Sequence, residues 1–356
     1  MSAAITRQDT KTEAPVRDSH TSNGCDSDHT EEPKEELPTF EQLPLRPNDP
    51  PYSAWGLWGE DDELGRLNLL TPEVVKSAAL EIQHGIRIPL NLPLDFLARP
   101  MNPAREPCIH RINAKGRAND DSLQMDTQGS SHFDGLRHVP YLDFPEKGSV
   151  RHYNGVTQEQ ISGPQAGDKL GIHNAAQTGI VARGVLLDWY RYALKKGIEF
   201  SPLDSHRIPL WQLQEVAREQ GVTFRQGDVL IIRTGWTVAY SALSHDEKLA
   251  LPYRDPRTAC GLEASKEFLK WHWENGFAAV ASDTVAYEAM PFIRPAGACM
   301  HEVFLSGWGM MIGESWDLEE LSRQCGRLQR WTFFFSSQPL NVVAGVASPC
   351  NAMAIL

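Results

Sequence analysis

The chain has 356 residues, 41% of them hydrophobic and 22% charged, enough to bury a large core in one domain or two smaller ones. Its 46 acidic against 34 basic residues give a formal charge of -12, which argues against nucleic acid and anionic membrane as main partners and leaves a small-molecule substrate as the expectation. No apolar run reaches about 18 residues, the N-terminus lacks the basic start and apolar block of a secretory signal, and the six cysteines stand apart, so a cytoplasmic protein with reduced thiols and no membrane span is expected.

Residues 1–43 are rich in Ser, Thr, Asp, Glu and Pro and poor in large apolar groups; they read as a disordered acidic tail ahead of a single domain over 44–356. Thr71-Pro72-Glu73 supplies an N-cap and a proline at the first helical position, which predicts a helix over 71–83. Apolar, breaker-flanked runs predict strands at 87–91, 184–188, 229–233 and 278–282. Between them, helices are predicted over 210–220, with Asp204 or Ser205 as start signal, and over 262–275, the two ending beside Gly221 and Gly276, which suit helix termination. The class is therefore mixed α/β. No glycine-rich phosphate loop follows a strand, so a dinucleotide-binding doubly wound sheet is not supported.

The densest chemistry lies in Gln128-Gly129-Ser130-Ser131-His132-Phe133-Asp134-Gly135-Leu136-Arg137-His138. His132 and Asp134 share one face of an extended backbone, and Asp134 and His138 meet across a helical turn. Imidazole nitrogen with carboxylate oxygen suits zinc or manganese, whereas thiolate-seeking metals need cysteines that this stretch lacks. A polar loop whose histidines bond backbone groups is the plainer alternative. Farther on, His301 and Glu314 flank a glycine-interrupted turn that can fold back on itself. Asp317-Leu318-Glu319-Glu320 reads as an N-cap with a capping-box partner, placing Glu314 in a loop just before a helix. Trp55, Trp58, Phe133 and Tyr153 are candidates either for the wall of an aromatic substrate site or for the core. Arg137 is a candidate for binding a carboxylate or oxyanion, its alternative being a surface salt bridge.

The stretch resembles the signature H-x-G-T-H-x-D-x-P-x-H of the cyclase family of metal-dependent hydrolases, which includes bacterial kynurenine formamidase and isatin hydrolase. Gln128, Ser130, Ser131, His132, Asp134, Leu136 and His138 stand at its seven specified positions. It is closer to N-T-Q-x-S-T-Q-W-D-G-L-R-H, found in a fungal and bacterial cyclase-like branch. Segments 55–65, 179–188, 227–236 and 301–320 follow in the family's order. The resemblance implies an α/β swivelling β/β/α fold and a divalent metal, zinc or manganese. The implied ligands are Gln128, His132, Asp134, His301 and Glu314, with His138 as the proton-transfer residue. Gln128 replaces a histidine and offers only a neutral amide oxygen, so one strong metal is expected more firmly than two. The implied reaction is metal-assisted hydrolysis of a C–N bond in a small amide, lactam or related cyclic substrate. The alternative is a cyclase or lyase of secondary-metabolite synthesis. The family also implies a homo-oligomer, with the aromatic stretch 331–335 either in the core or at an interface.

Overall fold

The structure, a computed structural model, describes residues 37–356 apart from Ala296. The disorder expected of residues 1–36 falls outside the described residues. Order begins earlier than position 44: Phe40–Gln42 forms a 3-10 turn, Phe40 stacks on Tyr52 at 5.3 Å, and Trp273 Nε1 donates to the carbonyl of Pro38 at 2.7 Å.

Nine strands form the main sheet, in the order Arg87–Pro89, Ala352–Ile355, Thr332–Ser337, Ile180–Leu187, Val229–Ile232, Ala279–Ser282, Met311–Glu314, His132–Asp134, Ala347–Pro349. The middle four, Ile180–Leu187 through Met311–Glu314, run parallel, and the strands flanking them pair antiparallel. Val229–Ile232 and Ala279–Ser282 are buried at every position. Parallel strands covered on both faces need unbroken apolar runs rather than alternation, which is why these segments carry so plain a signal. Thr332–Ser337 instead buries alternate residues. Phe333 and Phe335 are fully buried and Trp331 is 7% exposed, so these three aromatics of the 331–335 stretch pack in the core.

Helix Leu210–Gln220 occupies the predicted span and ends in left-handed Gly221, but Pro209 precedes it without a side-chain cap, so Asp204 and Ser205 do not start it. Pro72–Ala79 begins as expected, with Thr71 accepting from Val74 N. It stops short of 83 because the chain beyond has no face to bury, Leu80 being 75% exposed. Within 262–275, Gly261–Leu262 is taken by a small parallel sheet with Arg207–Ile208. The helix there is Lys266–Glu274, capped by Ser265. The helix Glu319–Leu328 has Leu318 at its N-cap. Glu320 turns forward to Arg323 and Gln324 instead of back to the cap, so no capping box forms.

A hairpin stands outside the main sheet. Ile109–Lys115 and Ala118–Gln124 pair only with each other and are exposed along their whole length. Among the described residues no helix is long and apolar enough to cross a membrane.

Candidate metal centre

His132–Asp134 lies antiparallel to Met311–Glu314, with Glu314 opposite His132 and Ile312 opposite Asp134. Directly opposed residues share a face, as do residues two apart on one strand, so His132, Asp134 and Glu314 converge. Glu314 therefore ends a parallel strand and is not a loop residue. It stands at the carboxyl end of that strand, where open α/β sheets place their ligands. His301 comes from a different direction, immediately before the wide turn Glu302–Gly307.

Both histidines have one ring nitrogen occupied. His132 Nδ1 donates to the carbonyl of Ser130 at 2.7 Å, and His301 Nδ1 donates to Glu288 Oε1 at 2.9 Å. Each Nε2 is left facing the carboxylates. His132 Nε2 is 3.4 Å from Asp134 Oδ1 and 3.4 Å from Glu314 Oε2. His301 Nε2 is 3.0 Å from Glu314 Oε1 and 3.9 Å from Asp134 Oδ2. His138 Nε2 is 3.8 Å from Asp134 Oδ2, and its side chain is 25% exposed against 0% for Asp134, so the cluster opens on the His138 side.

These residues fit a divalent cation. His132, Asp134 and Glu314 each offer a ligand atom, all within 4.8 Å of one another. His132 Nε2 and Asp134 Oδ2 are buried without a hydrogen-bond partner, a costly arrangement unless something else meets them. Bonds of about 2.0–2.1 Å around a four-coordinate ion separate neighbouring ligand atoms by roughly 3.3 Å, close to the 3.4 Å from His132 to either carboxylate. The mixed nitrogen and oxygen set suits zinc or manganese.

The electrostatics agree. Burial pushes His132 down, but the Asp134 and Glu314 carboxylates outweigh it and hold it up at about 9. Burial likewise opposes His301, yet Glu288 and Glu314 hold it at about 10. Burial would raise Asp134, but the surrounding histidines pull its carboxyl below the usual range. The cluster thus draws positive charge to its centre, as protons or as a cation. His138 goes the other way, because burial lowers it more than Asp134 raises it.

The other candidates divide. Gln128 reaches the cluster as a donor: its Nε2 is 2.5 Å from Asp134 Oδ1 and 3.2 Å from His138 Nε2. It presents amide N–H where a ligand needs a lone pair, so it stands as a bridge between those two residues. Phe133, between two inward residues on a strand, must point away; it is fully buried and meets Trp316 edge-on at 5.0 Å. Arg137 is 5% exposed, and its guanidinium donates to the carbonyls of Ala344, Ile161 and Gly167, so it is neither a substrate clamp nor a surface ion pair. The Tyr153 hydroxyl donates to Asp62 Oδ2 at 3.0 Å, and Trp55 Nε1 donates to the carbonyl of Ser306 at 2.7 Å; both are structural. Trp58 lies half-buried in the turn closed by Gly56 and Gly59, apart from the cluster's hydrogen bonds. Glu288 was missed altogether, since no spacing or periodicity in the sequence links it to His301.

Residues 44–289 match the family model described as a putative cyclase. The chain belongs to the cyclase family. A crystal structure of a novel cyclase is similar at 32% identity, covering 85% of this chain and 99% of that one with a TM-score of 0.74. Isatin hydrolase A from Labrenzia aggregata, solved with benzyl benzoate, is 16% identical over 81% of this chain and 98% of its own, with a TM-score of 0.52. Isatin hydrolase A from Ralstonia solanacearum is 15% identical over 80% of this chain and 97% of its own, with a TM-score of 0.53. No curated protein matches the sequence. The architecture is thus the α/β swivelling β/β/α fold of the cyclase family, as the motifs implied.

Proposed function

We propose that this cyclase-family chain is a metal-dependent enzyme that hydrolyses a C–N bond in a small amide, lactam or related cyclic substrate. The observation that carries the reading is the convergence of His132, Asp134 and Glu314, with two of their buried ligand atoms unbonded. His132, Asp134 and Glu314 would hold the ion, with His301, whose Nε2 is 3.0 Å from Glu314 Oε1, as a fourth ligand. A divalent zinc or manganese ion supplies Lewis acidity toward a carbonyl and lowers the pKa of water toward neutrality.

The chain's own residues supply the rest. His138 is the most exposed member of the cluster, and burial keeps it neutral, so its imidazole is ready to accept a proton near neutral pH and return it to a leaving nitrogen. The Gln128 amide bonds both His138 Nε2 and Asp134 and so holds the base against the cluster. The fold shared with two isatin hydrolases makes cyclic amides the first class to test. A cyclase or lyase using the same site is the second reading, favoured by the 32% identical novel cyclase.

The test is elemental analysis of protein purified without chelator, for wild type, Asp134→Ala and Glu314→Ala, followed by mass spectrometry of turned-over cyclic amides. About one zinc or manganese per chain, lost in both variants, is expected, with products heavier by one water. A product of unchanged or lower mass shifts the reading to the cyclase, and wild type that takes up no metal on reconstitution ends both.

A further inference from the structure

Two glutamates beside His301 are fully buried, and they are treated differently. Glu302 receives the Arg294 guanidinium at both oxygens, 2.8 and 2.9 Å away, and the backbone N–H groups of Cys299 and Leu142. It is a neutralised structural acid. Glu288 has His301 as its ion-pair partner among the described residues. Its carboxylate accepts from Met300 N at 3.1 Å, His301 N at 2.9 Å and His301 Nδ1 at 2.9 Å. A buried carboxylate without lysine or arginine is costly, and here it is spent on a single imidazole.

The supports around it are rigid. The segment bearing Glu288 is pinned on both sides of Leu262, through Leu262 N to Tyr287 O at 3.0 Å and Ala289 N to Leu262 O at 2.9 Å. Phe292 covers the His301 ring at 5.0 Å. Because Oε1 bonds both the backbone and the ring of His301, ring rotation would break a bond that the backbone contact keeps in register.

We infer that Glu288 is a positioning residue that commits His301 to the metal centre: by accepting the hydrogen bond of the Nδ1 proton it makes Nε2 the nitrogen turned to the cluster, 3.0 Å from Glu314 Oε1, where a cation would take the place of the Nε2 proton. This rests on the metal-dependent reading above. A carboxylate behind a ligand imidazole fixes its tautomer and raises its basicity, and losing such a partner typically weakens metal binding about 10- to 100-fold.

The experiment is zinc competition against a chromophoric chelator, on the full chain, for wild type, Glu288→Gln, His301→Ala, the double variant and Glu302→Gln. Glu288→Gln is expected to weaken zinc binding about 10- to 100-fold, and to add nothing once His301 is alanine. Glu302→Gln, which disturbs an equally buried neighbour, is expected to lower the melting temperature with zinc affinity kept within about threefold. An unchanged affinity in Glu288→Gln, or an equal loss in the His301→Ala background, overturns the assignment. If Glu288→Gln does not fold, Glu288→Asp carries the same comparison. Wild type that binds no zinc removes the metal reading and this one with it, a result distinct from zinc binding that ignores Glu288.

Discussion

His132 and Phe133 are adjacent and face opposite ways, and strand alternation is the reason. The same rule that puts His132 and Asp134 on one face assigns the residue between them to the other, which decides between the two roles open to Phe133 in favour of the core. Phe133→Ala is expected to cost about 3–5 kcal/mol of unfolding free energy, because the ring is fully buried against Trp316; urea denaturation measures it, and a loss below about 1 kcal/mol would mean the ring is not core. His138→Gln makes the complementary case. His138 lies at the open edge, 3.8 Å from Asp134, so its replacement is expected to leave metal content near the wild-type level while turnover falls about 100-fold or more. Equal loss of both would make it a ligand. Arg137 and Glu288 were illegible for another reason: their partners are main-chain groups and, for Glu288, a histidine 13 residues on, and no strand or helix period encodes such contacts.

Among the elements, those whose limits are set by their own residues were read best. Leu210–Gln220 ends where left-handed Gly221 requires it, and Val229–Ile232 is apolar because both faces are covered. Elements whose limits are set by distant partners were read less well: the predicted helix at 262 loses its start to pairing of Gly261–Leu262 with Arg207–Ile208. Within the helix Lys266–Glu274, His272 carries a pH dependence. It is fully buried, its Nδ1 donates to Phe268 O at 2.8 Å and its Nε2 is 2.9 Å from the Tyr287 hydroxyl. Burial lowers it from 6.5 to about 3. Between those values the unfolded chain binds a proton that the folded chain refuses, so this contribution is fully present above about pH 6.5 and is lost as pH falls toward 3. The loss is on the order of 5 kcal/mol over that window. His272→Gln is expected to flatten the acid limb of a stability-versus-pH curve measured by urea unfolding; an unchanged limb would mean that other groups set it.

At the scale of the molecule, the cluster ties together segments that are far apart in sequence. His132 and Asp134 come from an antiparallel strand, Glu314 from the end of the parallel layer, and His301 from the turn that follows Glu288. All four are buried, so a cation that binds them has little to bind in the unfolded chain, and its binding free energy becomes folding free energy. The stabilisation grows by about 1.4 kcal/mol for each tenfold rise in free metal above the dissociation constant, reaching roughly 2.7 kcal/mol at a hundredfold excess. Stripping the protein with a chelator is therefore expected to lower its melting temperature, and zinc titrated back to raise it with the logarithm of the free concentration. The dependence should vanish in Asp134→Asn, because Asp134 faces His132, His301 and His138 at once. A melting temperature in wild type that ignores zinc across several decades would show that the three segments are held together by packing alone.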